Sequence, residues 1–304
     1  MQMNVKKTAA KFMPTSLKNF IKWLRRLPLK IWVKGKKVQG QLITKEDIIA
    51  GLKELEIKKG DTVFVHSSFS SFGFVKRGPE EVIDALLEAV GSEGNVCMPS
   101  FGPLEDGKTF DVKKTPSALG KITDVFWRMP NAKRSLDPTH SFACVGKDSE
   151  LLTKNVFNCK APFEKGSPYY RLMQAGGKVL CLGSPFHTSL TCNYLIEDEL
   201  GLKFPVKIYL DEPKEFYIID SAGKKHVMVR KVHDKSLDSI RVDWNPEIAD
   251  WFEKILSKKG CLKKTKVGEA MVRVYGIKCM IDILREMAGK RITIYKGYGA
   301  LEDF

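Results

Sequence analysis

The sequence predicts an α/β protein with a parallel core, an antiparallel insertion and a helical close. Three observations predict it. Residues 61–91 read as strand, loop and helix. Asn95–Met98 and Lys178–Leu182 are short apolar runs of buried-strand character. From residue 206 the hydrophobic period changes from helical spacing to two.

The elements follow in chain order. In residues 14–33, Leu17, Phe20, Ile21, Leu24 and Leu27 fall on one helical face, apart from Lys18, Lys22, Arg25 and Arg26. Such a helix suits a membrane interface near anionic lipid, or docking on the body or a partner subunit. Gly40 separates this 1–40 extension from a domain spanning 41–304. Thr44 with Asp47 forms a capping-box variant opening a helix that Gly60 ends. Asp61–His66 is the first core strand. Pro79 suits the first turn of the next helix, whose apolar face is Val82, Ile83, Leu86, Leu87 and Val90.

Residues 102–120 read as a long loop and Ile122–Met129 as a short helix. Ser141–Val145 reads as a strand, and helices follow at Ser167–Met173 and Leu195–Leu200. Val206–Leu210, Glu215–Ile219 and Lys225–Val232 make the antiparallel meander. Asn245–Leu256 and Gly268–Met287 read as closing helices.

The net charge of +15 is uneven. Residues 1–40 hold eleven Lys and Arg and no acid, and the rest carries 40 basic against 36 acidic residues. The body is near balance, which argues against a nucleic-acid-binding domain. The seven cysteines lack paired spacing and read as buried free thiols of a reducing cytosol. No apolar run reaches the roughly 18 residues of a membrane span. A cytoplasmic protein, peripheral at the inner membrane face through its tail, is expected.

Four stretches carry a resemblance. They are His66-Ser-Ser-Phe-Ser-Ser-Phe-Gly73, Cys97-Met-Pro-Ser-Phe101, Arg134 through Ala143, and Gly166-Ser-Pro168 followed by Val179–Gly183. Over residues 42–290 the chain resembles the aminoglycoside 3-N-acetyltransferase family. That implies a single α/β unit with a central mixed sheet flanked by helices, distinct from the commoner acetyltransferase fold. It also implies attack of an amine on the thioester of acetyl-CoA or another acyl-CoA.

The loop after the first strand offers Ser67, Ser68, Ser71 and Gly73 to pantetheine or the thioester oxygen, and Lys76 and Arg77 to phosphates. His66 is expected to hold this loop through a side-chain hydrogen bond. His140 is the candidate base and Asp137 its orienting group. The resembled family usually reads T-x-x-H-x-x-E where this chain has Thr191, Tyr194 and Glu197. Tyr194 thus stands where the family places its base, and a phenol of pKa about 10 is a poor one. Glu197 is either a base of raised pKa or a solvated acid. Phe101, His187 and Asn193 are placed on the substrate side, and Cys192 beside His187 offers a minor covalent route. His226 and His233 are expected at the surface, and no metal-ligating spacing occurs.

The acceptor implied is an amino sugar. Lys76, Arg77, Lys113, Lys114, Arg134 and Lys165 favour a nucleotide-linked one, as in surface polysaccharide synthesis. The alternatives are antibiotic acetylation or a catalytically silent coenzyme A- or membrane-binding homologue.

Overall fold

A computed structural model describes residues 42–102, 109–154 and 156–297. The 1–40 extension, its amphipathic stretch and the boundary at residue 41 lie outside them.

The chain opens with β1 (Leu42–Ile43) and α1 (Lys45–Glu54). The capping box forms as read: Thr44 Oγ1 accepts from Asp47 N, and Asp47 Oδ2 accepts from Thr44 N at 2.9 Å. Next come β2 (Thr62–Ser67), β3 (Phe74–Val75), α2 (Pro79–Val90), β4 (Asn95–Pro99), β5 (Thr109–Asp111) and α3 (Lys121–Phe126). Then follow β6 (Lys133–Arg134), β7 (Phe142–Gly146), α4 (Ser149–Thr153), α5 (Pro168–Gln174), β8 (Lys178–Leu182) and α6 (Tyr194–Leu200). The chain continues through β9 (Lys214–Ile219), β10 (Lys225–Arg230), α7 (Pro246–Lys258), β11 (Leu262–Val267), β12 (Ala270–Gly276) and α8 (Ile277–Gly289).

Seven strands form one mixed sheet in the order β11-β12-β8-β2-β4-β7-β6. β2 lies parallel to both β4 and β8, and the other pairs are antiparallel. Successive side chains point to opposite faces, and both faces are covered. Val63, Val65, Val96, Met98, Leu180 and Leu182 pack with α1, α2 and α3. Phe64, Cys97, Phe142, Val179 and Cys181 pack with α5 to α8. The central mixed sheet between helices is therefore present, and its buried strands are the runs the sequence marks.

Three element readings are corrected. Gly268–Met287 is half strand: Val272 and Val274 alternate with Met271, Arg273 and Tyr275, and β12 pairs with β8 and β11 before Gly276 switches the chain into α8. A helical period fitted across that switch hides the strand. Val206–Leu210 forms no strand; Val206 and Ile208 fill the main core, and only Tyr209 bridges to His233. The insertion is thus a β9–β10 hairpin, which gains β5 as a parallel third strand from within the expected long loop. Its turn uses Gly223 at φ 83, while Asp220 Oδ1 accepts from the Ala222 and Lys224 amides.

The cysteines also depart from expectation. Cys261 and Cys279 form a disulfide, and the other five are buried and outside any disulfide. Cys261 precedes β11 and Cys279 lies in the first turn of α8, so the β11–β12 reversal brings them together across 18 residues. Spacing alone cannot show that reversal.

Candidate active site

The site lies where the C-terminal ends of β2, β4 and β8 meet the start of β7, which runs antiparallel beside β4 with Pro99 opposite Phe142. Ligands of open α/β sheets bind at such edges. A cavity of about 430 Å³ opens here. Of the expected residues, Phe101 after β4, His140 before β7, His187 after β8 and Tyr194 at the start of α6 share its wall. Thr188, Leu190, Thr191, Arg241 and Trp244 complete it.

His140 is set by a relay. Asp137 Oδ1 accepts from the backbone amides of Thr139 and His140, both at 2.9 Å, and from Thr139 Oγ1 at 2.8 Å. The Thr139 hydroxyl proton is therefore committed to the carboxylate, and its oxygen accepts from His140 Nδ1 at 3.0 Å. This network assigns the proton to Nδ1 and leaves the Nε2 lone pair free. Asp137 thus orients the imidazole through Thr139. Its second oxygen binds Arg230, whose guanidinium also donates to Val156, Cys159 and Ala161 carbonyls. Phe101, Phe163 and Tyr194 surround the ring. Desolvation lowers its pKa to about 4, against the Asp137 charge.

Tyr194 packs between two groups the sequence did not connect to it. Arg241 stacks on its ring at 4.3 Å and the His233 ring lies 4.4 Å away. Burial raises the phenol's pKa further, so it stays protonated. Glu197 is neither a solvated acid nor part of the cavity wall. It lies fully buried behind Tyr194, where Oε1 accepts from Tyr295 Oη at 2.7 Å and Oε2 lies 3.2 Å from His233 Nε2. His233 is therefore not a surface residue, and half-buried His226 contacts Asp220 at 2.7 Å. The His233–Glu197 approach joins the hairpin segment to α6 across 36 positions, which strand alternation cannot reveal.

Asn193 and Cys192 are also buried outside the cavity wall. Burial raises the Cys192 thiol well above its ordinary range, which removes the nucleophile of the covalent alternative.

The loop after β2 holds itself together. Ser68 N donates to Leu182 O, Ser71 Oγ to Ser68 O at 2.7 Å, and Ser184 Oγ to His66 O. The expected hydrogen bond of His66 is missing: its buried Nε2 has no partner among the described residues, and desolvation lowers its pKa to about 4. Gly73 takes φ 84, a left-handed turn beside Glu269 that a side chain would strain. Ser67, Ser68, Ser71 and Gly73 stand outside the wall of this cavity.

The expected cationic loops are corrected too. Arg77 is committed to Glu81 and Asp84. Arg134 is buried, bonded to Ser100, Val112 and Thr115 carbonyls and stacked on Phe110 and Trp127. None of the six named cations lines the cavity. Its arginine is Arg241, which sequence reading passed over; the mark available was Arg241-Val-Asp243-Trp244, a charge pair beside an aromatic residue. A larger groove of about 990 Å³ is lined by Lys113, Trp127, Arg128 and Arg134 among others; it holds two of the six named cations and none of the candidate catalytic or coenzyme-binding residues.

Among the described residues no group of three or more His, Cys, Asp or Glu is placed to hold a metal, and no helix is long and apolar enough to cross a membrane.

The profile of the aminoglycoside 3-N-acetyltransferase family matches residues 64–288. Aminoglycoside N(3)-acetyltransferase IV of Salmonella sp is 32% identical over 232 residues, covering 76% of this chain and 81% of that protein. Aminoglycoside N(3)-acetyltransferase VII of Streptomyces paromomycinus is 26% identical over 268 residues, covering 79% and 89%. Among solved structures, aminoglycoside acetyltransferase AAC(3)-IVa in complex with apramycin superposes with a TM-score of 0.65 at 28% identity, covering 82% of this chain and 93% of that one. AAC-IIIb bound to coenzyme A has a TM-score of 0.67 at 21% identity, covering 83% and 98%, and supports the fold alone.

Proposed function

The chain belongs to the aminoglycoside 3-N-acetyltransferase family, and from that premise we propose that it transfers the acetyl group of acetyl-CoA to an amino group of an amino sugar. The observation that carries the reading is His140, a cavity-wall histidine whose tautomer the Asp137–Thr139 relay fixes with Nε2 free.

The amine nitrogen attacks the thioester carbonyl, forming a C–N bond and a tetrahedral adduct. Collapse breaks the C–S bond and releases the coenzyme A thiolate. A base of pKa about 4 removes protons poorly from a free ammonium. The amine therefore enters neutral, and His140 Nε2 takes the proton that becomes acidic once the nitrogen carries positive charge. The leaving thiolate is the proton's final destination. The hydroxyls of Ser67 and Ser68, which have no partner among the described residues, are the donors proposed for the pantetheine arm.

The names of the relatives support an aminoglycoside as acceptor. One observation favours a second reading, a nucleotide-linked amino sugar: the described cavity wall contains Arg241 and no carboxylate. The test is thiol release from acetyl-CoA with a panel of aminoglycosides and sugar nucleotides, with products identified by mass. Acetylated aminoglycoside, and a raised drug tolerance in an expressing host, would support the first reading. Product from sugar nucleotides alone would support the second. No thiol release with either panel would overturn the enzyme reading.

A further inference from the structure

Arg241 has a spare edge. Its side chain is 1% exposed, and Nε and Nη2 donate to Asp243 Oδ1 and Oδ2 at 3.0 and 2.6 Å. That bidentate pair fixes the guanidinium plane. Tyr194 at 4.3 Å and Trp244 at 4.9 Å from its central carbon hold it further. Nη1 is left buried without a partner among the described residues, on a side chain that lines the cavity. An unpaired buried donor is costly, and here a ligand can satisfy it.

The surroundings select the ligand. Phe101, Leu190 and Trp244 make much of the wall apolar, which strengthens any charge contact inside. No acid lines the described wall. His140 is held neutral, so Arg241 is the permanent cation at this surface. Burial opposes the arginine's charge, and the Asp243 carboxylate more than offsets it.

We propose that Arg241 is a specificity-determining residue whose free Nη1 edge binds an anionic substituent, carboxylate or phosphate, on the amine acceptor. The inference rests on the N-acetyltransfer reading. It selects, within amino sugars, those carrying an acidic group over polycations.

The test uses the full chain with acetyl-CoA and four acceptors: a 2-amino-2-deoxyhexose, its 6-phosphate, its uronic acid, and apramycin. Thiol release yields kcat/KM, and calorimetric titration yields binding. One of the two anionic amines should exceed the neutral sugar by roughly tenfold to a hundredfold, the range expected for hydrogen bonds to a charged group. Whether phosphate or carboxylate wins identifies the substituent. Arg241→Lys keeps a cation beside Asp243 but loses the fork, and should cut the anionic-to-neutral ratio at least about tenfold. If that variant fails to fold, the paired Arg241→Gln, Asp243→Asn replacement removes both charges and carries the same expectation.

An equal ratio in wild type and variant overturns the proposal, as does apramycin outcompeting both anionic amines. A kcat loss shared by all acceptors would place Arg241 on the thioester and also overturns it. If no acceptor releases thiol, the acetyltransfer reading fails and titration decides this one. Arg241-dependent binding of an anionic amine upholds it, and no binding of either overturns it.

Discussion

Two buried arginine–aspartate pairs flank the cavity, and they do different work. Arg230, with no exposed side-chain surface, joins Asp137 to three carbonyls of residues 156–161. Arg241, almost equally hidden, hydrogen-bonds through its side chain to Asp243 and lines the cavity. Burial does not separate a structural ion pair from a binding one. Each pair leaves one buried nitrogen without a partner among the described residues, Nε of Arg230 and Nη1 of Arg241; what separates them is that Arg241 lines the cavity and Arg230 does not. The first pair anchors the turn that presents His140; the second sets an arginine in the cavity wall.

The largest effect should come from breaking the first pair. Removing one partner of a buried ion pair costs about 3–5 kcal/mol. Arg230→Met strands the Asp137 carboxylate and frees the Thr139–His140 turn. It should lower the unfolding free energy by that much, seen as a lower urea midpoint at unchanged slope, and abolish turnover, as read by equilibrium unfolding and thiol release. A variant with native stability would erase the distinction between the pairs.

The contrast also shows what could be read from the chain. The core strands, their flanking helices and the α1 capping box are local patterns, legible as hydrophobic period and end residues. Phe101, His140, His187 and Tyr194 were legible because each sits in a named stretch beside a strand end or opens a helix, and they do share one cavity. Arg241, His233 and the Cys261–Cys279 disulfide were not. Each acquires its role from a partner that only the tertiary path supplies, as Glu197 does from Tyr295. Arg77 and Arg134 misled for the converse reason: composition counts cations, while structure shows both already engaged.

Acidification sharpens the comparison next. His66 and His140 have folded pKa values of about 4, against an ordinary value of 6.5. Between these values the unfolded chain binds the extra protons, so stability is full above pH 6.5 and falls as pH drops towards 4. Unfolding midpoints at pH 7, 5.5 and 4.5 should decline in that order. His66→Leu should flatten the decline, whereas an unchanged slope would mean that His66 is not held neutral.

The smallest effect is expected at Tyr194. Its phenol stays protonated and its ring is a packing surface for Arg241 and His233. Tyr194→Phe keeps that surface and should change kcat/KM by less than about threefold, far below the factors ascribed to a lost acid–base group. A hundredfold loss would give the hydroxyl a chemical role.

The most direct measurement is kcat/KM for thiol release against pH, for wild type and His140→Gln. The wild-type rate should climb with pH through the acceptor amine's own pKa, with no inflection near 6.5 from His140. The variant should lose about 100-fold or more at every pH, with acceptor binding by titration unchanged. A His140→Gln enzyme within threefold of wild type would contradict the assignment of proton transfer to this histidine.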